Sequence, residues 1–423
     1  MKPRIVITGL GIVAPNGVGC TNFEAALRSG SSGIRFFPEL EALKFSCQIG
    51  GKPPLTQNII DANLSALQQR NFNANGILYG IISGMEALRD ANIRPATAEE
   101  DPLWNLGIIF GTGTSGVDKF REAIYQVDDK KVRRLGSTTV VQTMASGISA
   151  YLGGMIGAGN RVTTNSAACA TGTEALLLGY EHLVAGKARQ MLCGSCSDDG
   201  PYLWGGFDAM RVTTWKYNDA PEQGSRPLSA SASGFVPASG AGAYVLETLE
   251  SAKARGATMY AEVLGGAINN GGQRLGGSMT APNNTAVQRC IIDALSNSQV
   301  SASEIDYING HLTATVKDPV EIDNWCKALQ RSGADFPYIN SLKGMIGHGL
   351  AASGSMEIVA SLLQLKHNFI FPNVNAEDLH PDIENQVDSD RIPRNTLEIP
   401  LTTVAKASFG FGDVNACVIF RKI

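Results

Sequence analysis

Asn165-Ser-Ala-Ala-Cys169-Ala-Thr-Gly172 leads through small side chains into an apolar helical pattern over residues 173–180. The second half of the chain repeats this design, since Asn340-Ser341 leads through glycines and alanines into an apolar helical pattern over residues 356–365. Each copy consists of a polar turn, a small-residue helix start and an apolar helix. We interpret the two copies as parts of a duplicated unit whose halves join near residues 251–258.

Cys169 stands at the start of the first of these helices. A helix N-terminus offers unpaired backbone N–H groups and the positive end of the helix dipole, and both favour a thiolate. We therefore predict a pKa for Cys169 below the free value of about 8.5. Small neighbours also let a substrate approach closely, so the pattern favours a nucleophile over a structural thiol.

The composition is that of a large globular protein. The chain has 423 residues, 43% hydrophobic and 17% charged, which predicts two halves or domains. A net charge of −4 argues against a nucleic-acid partner. The apolar run after Arg4 is broken by glycines and predicts a first strand, not a signal peptide. We find no apolar run of 18 residues, so we expect a cytoplasmic protein without a membrane span.

Strand-like and helical runs alternate along the chain. Apolar residues recur at helical spacing over residues 77–88 and after each small-residue turn. Between the helices, short apolar runs predict strands at residues 4–8, 106–110, 191–193, 242–246, 260–264, 305–308 and 415–420. This alternation predicts an α/β fold in which helices cover a sheet.

Two glycine patterns invite a dinucleotide-binding interpretation, which requires the glycines to open a helix that holds the pyrophosphate. Gly9-Leu-Gly11-Ile-Val-Ala14 is followed by a turn instead. Gly111-Thr-Gly113-Thr-Ser-Gly116 allows a helix but lacks the acidic residue expected after a second strand. We keep a dinucleotide-binding oxidoreductase only as an alternative of another class.

Two of the five histidines are candidates for chemistry. His311 follows the predicted strand 305–308, and His348 lies in a glycine-rich turn before the second apolar helix. Strand ends and such turns are where α/β proteins place functional groups. The other three, His182, His367 and His380, lie in helical or polar loop contexts and carry no prediction.

Several separated segments resemble motifs of the β-ketoacyl-ACP synthases, the condensing enzymes of the thiolase superfamily. Residues 165–172 resemble the nucleophile motif, His311-Leu-Thr-Ala-Thr315 the His-Gly-Thr-x-Thr motif, and residues 340–348 the Lys/His motif. Ser408-Phe-Gly-Phe-Gly412 matches near the C-terminus, and Ser225-Arg-Pro227 with Gly234-Phe-Val236 matches another stretch. The resemblance covers effectively the whole chain, and the Cys-His-His set is similar to that of the elongating branch, the synthase I/II type.

This resemblance implies a fold and a division of the chain. The implied fold is thiolase-like: two βαβαβαββ halves form a five-layer α-β-α-β-α sandwich. Residues 1–250 would form the half with the nucleophile, and residues 251–423 the half with the histidines.

The resemblance also implies an acyltransferase that condenses an acyl-ACP with malonyl-ACP by decarboxylative Claisen chemistry. Cys169 would carry the acyl group, and neutral His311 and His348 would stabilise the enolate. Lys343 would orient this network together with Glu321. The resemblance also makes Phe411 a gate, and its backbone N–H would join that of Cys169 as an oxyanion donor. Thr313 and Thr315 would have supporting roles. No metal or dissociable cofactor is implied, because the substrates travel on the phosphopantetheine arm of the carrier.

The chain departs from the family pattern around the site. Leu312 replaces the usual glycine after the first histidine, and the segment from Thr315 to Glu321 is one residue shorter, which puts the Lys343 pairing in question. Thr114 stands where the family has a tunnel-lining aliphatic residue. We infer a specialised synthase for a polyketide, a polyene or an unusual acyl chain, with a housekeeping fatty-acid synthase II as the alternative.

The implied partners are an acyl carrier protein and a second synthase chain. Carriers of this family are acidic, so a basic patch would dock them. The candidates are Lys130, Lys131, Arg133, Arg134 and Arg211, and the alternative is a solvated charged face. The dimer would contain two copies of this chain, or one copy with a homologue that resembles a chain-length factor.

Two further alternatives are open within the fold. A thiolase acting on CoA would need a second cysteine near the C-terminus, and residues 408–412 contain none. A non-catalytic chain-length partner normally lacks the active cysteine, so Cys169 argues against that role.

Overall fold

The first half of the chain is a βαβαβαββ unit. In the computed structural model, which describes residues 2–423, its elements are β1 (Ile5–Ala14), α1 (Asn75–Asp90), β2 (Leu106–Thr112), α2 (Gly147–Ile156), β3 (Val162–Thr163), α3 (Thr171–Val184), β4 (Gln190–Ser197) and β5 (Gly240–Thr248). The predicted strands and helices of this half lie inside these elements, except that Arg4 of the first predicted strand precedes β1. Apolar residues on successive turns of α1 face the sheet, as their helical spacing predicted.

The second half repeats the same order. Its elements are β6 (Ala261–Asn270), α4 (Asn284–Ser298), β7 (Tyr307–Asn309), α5 (Asp318–Leu329), β8 (Tyr338–Asn340), α6 (Ser353–His367), β9 (Thr403–Gly410) and β10 (Val414–Arg421). Strands β3, β8 and β9 had no counterpart among the predicted strands. Two of them have only two and three residues, too short for a recognisable apolar run.

Strand order and direction confirm the duplication. The first half pairs in the order β1-β5-β4-β2-β3 and the second in the order β6-β10-β9-β7-β8. In both halves the first two pairings are antiparallel and the last two are parallel. An antiparallel pairing of β1 with β6 joins the halves into an 11-stranded sheet, to which the strand Gly17–Val18 adds beside β1.

The elements form five layers. Helices α3 and α6 contact each other and also contact strands of both halves, so the sheet folds around them. Side chains on all sides of α6 are buried, as expected for a helix at the centre of the core. Helices α1 and α2 cover the outer face of the first half, and α4 covers that of the second. The predicted α-β-α-β-α sandwich is confirmed.

Shorter elements decorate this core. The additional helices are Cys20–Ser29, Pro38–Ala42, Gln57–Asp61, Ala66–Gln69, Val117–Asp128, Thr139–Thr143, Pro201–Ala209, Leu249–Ala254, Lys343–Ile346 and Pro381–Glu384. Two small antiparallel pairs join Ile34–Phe36 with Ile49–Gly51 and Phe369–Ile370 with Leu397–Glu398. Across residues 2–423, none of the helices is long and apolar enough to span a membrane.

The two glycine patterns have structural explanations. Gly9 and Gly11 lie within β1 and open no helix. A Cβ at Gly111 would lie 2.2 Å from a methyl carbon of Thr171, so glycine lets β2 pack directly against the turn that carries Cys169. Gly116 precedes the helix Val117–Asp128, so of the two patterns only the second lies at a helix start, and its Gly111 serves close packing.

Candidate active site

Cys169 lies in the middle of a 3₁₀ turn, Ala168–Ala170, that runs directly into α3. Ala168 has a φ of +47°, a left-handed conformation that costs energy in a residue with a side chain. The Thr171 hydroxyl holds this turn, because it accepts the Ala167 N–H at 2.9 Å and donates to the Ala168 carbonyl at 2.6 Å. The turn presents the Cys169 side chain at the helix N-terminus with its sulfur buried, although the residue as a whole is partly exposed.

The prediction of a low pKa for Cys169 is wrong. Burial raises the pKa of its thiol to about 11, although the Lys343 ammonium and the Phe411 backbone N–H favour the thiolate. The sequence prediction counted the helix N-terminus and left out desolvation, which disfavours the charged form of any buried acid. The resting side chain is therefore a thiol at neutral pH.

The turn around Phe411, between β9 and β10, packs against Cys169. A Cβ at Gly410 would lie 3.1 Å from the Ala167 carbonyl oxygen and 3.2 Å from the Cys169 nitrogen, so glycine permits this approach. The backbone N–H groups of Phe411 and Cys169 both interact with the sulfur and lower the thiol pKa against the effect of burial. The two backbone N–H groups therefore favour negative charge at the Cys169 side chain.

His311 lies two residues after β7, in a loop held by Glu321. Its backbone N–H donates to Glu321 Oε1 at 2.7 Å, and the Leu312 N–H donates to Oε2 at 2.7 Å. Burial raises the pKa of Glu321 to about 7. Glu321 supports the histidine loop in this way and makes no ion pair with Lys343 among the described residues, so the predicted pairing is corrected.

Lys343 contacts His311 directly and is paired with Glu357 instead. Its ammonium donates to the His311 carbonyl oxygen at 2.6 Å, lies 3.5 Å from His311 Nδ1 and forms an ion pair with Glu357 Oε1. An ammonium group can only donate, so Nδ1 is the acceptor and the ring proton resides on Nε2. Lys343 thereby sets the tautomer in which Nε2 carries the ring proton, so that Nε2 can donate a hydrogen bond.

His348 is fixed in the same tautomer by different partners. Its Nδ1 accepts the Leu350 N–H at 3.0 Å and contacts the Ser353 hydroxyl at 2.9 Å. Its backbone N–H donates to Val236 O at 2.7 Å, and its carbonyl accepts the Ala238 N–H at 2.9 Å. The ring therefore also carries its proton on Nε2, on a backbone anchored to residues 236–238.

The structure brings Cys169, His311 and His348 together. The Cys169 sulfur and one ring nitrogen of each histidine all lie within 4.8 Å of one another. Burial lowers the pKa of both imidazoles well below the ordinary value, and the Lys343 and Lys406 ammonium groups lower it further. The site thus combines a thiol with two neutral N–H donors, which is suited to acyl transfer and to stabilising a developing oxyanion.

Asp318 organises the shortened loop after His311. Its carboxylate accepts the backbone N–H groups of Thr313 at 2.9 Å, Ala314 at 3.1 Å and Leu228 at 2.9 Å. The loop is left-handed at Leu312, with φ +22°, and at Ala314, with φ +62°. Burial raises the pKa of Asp318 to about 6. The loop thus combines two left-handed residues with the Asp318 carboxylate that accepts its backbone N–H groups.

A cavity of about 520 Å³ opens onto these groups. Cys169, His311 and His348 line it together with Thr313 and Thr315, whose hydroxyl oxygens are 3.1 Å apart. Its walls come from residues 211–212, 232–235, 275–287, 313–321 and 409–411, and Phe411 is among them. A long, narrow substrate arm could reach the sulfur through this cavity.

The predicted peripheral residues divide into two groups. Arg211 is exposed and lines the cavity. The exposed Lys130, Lys131, Arg133 and Arg134 follow the helix Val117–Asp128 and do not line it, and Lys131 is paired with Asp129 at 2.7 Å. Thr114 lies on an exposed loop outside the cavity. Its role in a tunnel and the docking role of residues 130–134 stay predictions.

Glu357 and Lys406 were not among the site residues predicted from the sequence. Both are buried and charged, and Lys406 Nζ lies 2.9 Å from Glu357 Oε2. A signal existed for each, because Glu357 is the one acidic residue in the apolar helix 356–365 and Lys406 interrupts a small, apolar stretch just before Ser408. A lone charge in such a segment points to a buried partner.

Comparisons with known proteins agree with this geometry. Residues 2–252 match the family model "Beta-ketoacyl synthase, N-terminal domain" and residues 260–377 match "Beta-ketoacyl synthase, C-terminal domain". The 3-oxoacyl-(acyl-carrier-protein) synthase 1 of Escherichia coli K12 is 34% identical to this chain, over 99% of each protein. The chain belongs to the β-ketoacyl synthase family.

Solved structures share the whole architecture. A β-ketoacyl synthase from Burkholderia phymatum superposes with a TM-score of 0.88 at 28% identity, over 100% of both chains. A ketosynthase bound to a hexaketide, in complex with its type II PKS acyl-carrier protein, superposes with a TM-score of 0.87 at 28% identity, again over 100% of both chains.

Proposed function

We propose that this protein condenses an acyl-ACP with malonyl-ACP to give a β-ketoacyl-ACP, with Cys169 as the acyl carrier. The observation that carries the proposal is the convergence of the Cys169 sulfur and the His311 and His348 ring nitrogens within 4.8 Å in one cavity. A nucleophile beside two neutral N–H donors supplies both the covalent and the electrostatic requirements of such a condensation.

In the first step, the Cys169 sulfur attacks the carbonyl carbon of the acyl thioester. The C–S bond to the carrier breaks, and the carrier leaves as a thiol that takes up the proton lost by Cys169. The backbone N–H groups of Cys169 and Phe411, which favour negative charge on the sulfur, stabilise the tetrahedral oxyanion. The product is a thioester on Cys169.

In the second step, the malonyl thioester loses CO₂ as its carboxylate C–C bond breaks. The electron pair of that bond forms an enolate whose negative charge rests on the thioester oxygen. His311 and His348 donate to this oxygen from Nε2, the nitrogen that the contacts of Lys343 and Leu350 leave protonated. The enolate carbon then attacks the acyl carbonyl, and the Cys169 thiolate leaves and recovers a proton.

The substrates arrive on an acyl carrier protein, and we propose neither a metal nor a dissociable cofactor. Thr313 and Thr315 present hydroxyl groups to the cavity that leads to the sulfur, where a phosphopantetheine arm would lie. Cysteine and histidine also suit Zn²⁺, so full activity after dialysis against EDTA is part of the proposal. Arg211 beside the cavity would face an acidic carrier.

We assign the two halves as residues 1–250, with the nucleophile, and residues 251–423, with the histidines. We further propose a dimer, with either a second copy or a homologue that resembles a chain-length factor. The helix Val117–Asp128 supports a dimer because it leaves large apolar side chains exposed: Phe120, Ile124, Tyr125 and Val127. Native mass spectrometry of the protein, alone and co-expressed with such a homologue, distinguishes the two arrangements.

For the pathway, we propose a specialised one, for a polyketide, a polyene or an unusual fatty acid, over housekeeping elongation. Support comes from the altered surroundings of His311, where a buried leucine replaces glycine and the loop is strained. The test is incubation with malonyl-ACP and acyl-ACPs of varied length and unsaturation, followed by intact-mass measurement. Efficient extension of ordinary saturated acyl-ACPs, with complementation of a strain that lacks the housekeeping enzyme, would contradict this pathway.

A further inference from the structure

Three charged side chains are buried together behind the histidines. Lys343, Glu357 and Lys406 are each at most 1% exposed. Glu357 Oε1 is paired with the Lys343 ammonium, and Glu357 Oε2 lies 2.9 Å from the Lys406 ammonium. One carboxylate therefore serves two ammonium groups, so these three residues alone carry an excess positive charge, and the Glu321 carboxylate is a further negative group that acts on Lys406.

Stability alone does not explain this excess charge. Burying an ion is costly unless an opposite charge compensates it, and Glu357 can neutralise only one of the two lysines. An uncharged side chain at position 406 would leave the Lys343–Glu357 pair complete. Desolvation accordingly lowers the pKa of Lys406, against the attraction of Glu357. Lys406 thus carries a desolvation cost that its pairing with Glu357 does not fully offset.

The contacts of Lys406 connect the two parts of the active site. In the parallel pairing of β7 with β9, Lys406 lies opposite Asn309, two residues before His311. Its ammonium donates to the Ser408 hydroxyl at 2.9 Å, and that oxygen is 2.9 Å from the Thr173 hydroxyl in the first turn of α3. Lys406 therefore lies between the loop that carries His311 and the helix that follows Cys169.

We propose that Lys406 is a positioning residue for the condensation and acts through Glu357 and Lys343 on His311. Lys406 engages Glu357 Oε2, which turns Oε1 toward the Lys343 ammonium. Lys343 is then held against the His311 carbonyl at 2.6 Å and near Nδ1 at 3.5 Å. The inference rests on the proposed function, because it concerns how the donor at His311 Nε2 is aligned.

The excess charge also acts on the imidazoles directly. The titratable groups that face Lys406 from the surrounding elements are Glu357, Lys343, Glu321, His311, His348 and Cys417. Lys343 and Lys406 both lower the pKa of His311 and His348. Loss of the Lys406 charge raises both imidazole pKa values, so protonation begins at a higher pH. A proton on His311 Nδ1 would oppose the Lys343 ammonium and disturb the alignment.

Lys406→Met tests the proposal, because methionine keeps much of the length of the side chain and removes its charge. Rates of CO₂ release from malonyl-ACP are measured from pH 5 to 9, beside acyl loading of Cys169 by intact mass and thermal unfolding. We expect kcat for decarboxylation to fall at least about tenfold with KM changed less than about twofold. We also expect the acid limb of the pH profile to move up by about one unit, with loading complete and the melting temperature equal or higher.

Two further variants serve as controls. Lys406→Arg keeps the charge and should keep the acid limb of the wild type. Lys366→Met removes another lysine near the core, on the same helix as Glu357. The Lys366 ammonium donates to the Met259 carbonyl at 2.9 Å. Lys366→Met should match the wild type in rate and pH profile.

The outcomes separate this inference from the proposed function. A wild-type protein that releases no CO₂ and loads no acyl group contradicts the function itself. If the wild type is active and Lys406→Met keeps the same rate and the same acid limb of the pH profile, the positioning role of Lys406 is overturned. If Lys406→Met unfolds, Lys406→Ser is measured instead. A folded Lys406→Ser variant with the rate and the acid limb of the wild type also overturns the positioning role and leaves Lys406 a purely structural residue.

Discussion

Cys169 and Ala351 occupy equivalent positions in the two halves of the fold. Each is the middle residue of a 3₁₀ turn, Ala168–Ala170 or Leu350–Ala352, that runs directly into a central helix. The first residue of each turn is left-handed, with φ +47° at Ala168 and φ +52° at Leu350. The duplication thus made two similar strained turns, one that carries Cys169 and one that donates a backbone N–H to His348.

Replacement of Cys169 by alanine should abolish acyl loading and preserve the fold. The turn at Ala351 already holds an alanine in the same backbone arrangement, so the substitution adds no strain. Incubation with acyl-ACP followed by intact-mass measurement should show the acyl adduct on the wild type and none on Cys169→Ala. Cys193→Ala removes a fully buried strand thiol and should load like the wild type. An acyl adduct that persists on Cys169→Ala would sink the assignment.

Loss of either imidazole should impair decarboxylation far more than acyl loading. Removing one positioned donor to a developing oxyanion costs on the order of 10²-fold in rate. We expect a drop of that size in CO₂ release from malonyl-ACP for His311→Ala and for His348→Ala, with Cys169 still acylated. His182→Ala is the control, since His182 lies on α3 with its ring nitrogen 2.9 Å from Asn160 Oδ1. A decarboxylation rate within threefold of the wild type in both site variants would refute their assigned role.

The resting Cys169 thiol should react with alkylating agents only as the pH rises. Burial raises its pKa to about 11, so the reactive thiolate fraction grows about tenfold per pH unit below that value. The rate of modification by iodoacetamide, followed at the Cys169 peptide by mass spectrometry, should climb from pH 7 to 10 without a plateau. A plateau below pH 8 would indicate the depressed pKa that the sequence predicted.

Reversal of the Arg211 charge should weaken the use of carrier-bound substrate. Arg211 is exposed and lines the cavity, so a glutamate there would repel an acidic carrier at the site of approach. Arg211→Glu should raise KM for malonyl-ACP several-fold and leave KM for a small malonyl thioester unchanged. Arg94→Glu, at an exposed arginine paired with Glu100, should change neither value. Equal effects on both substrates would place Arg211 in the chemistry rather than in docking.

The sequence by itself was sufficient for the architecture and for the three side chains, Cys169, His311 and His348, that the structure brings together. Three kinds of local feature carried these predictions: the alternation of strands and helices, the two small-residue helix starts, and the motifs around Cys169, His311 and His348. Such features are written in short segments of the chain and do not depend on how distant segments pack. The duplicated halves and the five layers follow from these features together with the family resemblance.

Tertiary structure alone decided the charge balance of the site. The sequence paired Lys343 with Glu321, whereas folding brings Glu357 and Lys406 to the same point from a helix and a strand that are far apart in the chain. The sequence also gave Cys169 an acidic thiol from its place at a helix start, whereas burial makes it a thiol at rest. Desolvation and the choice of ionic partner depend on what surrounds a group in three dimensions, and no local pattern encodes that surrounding.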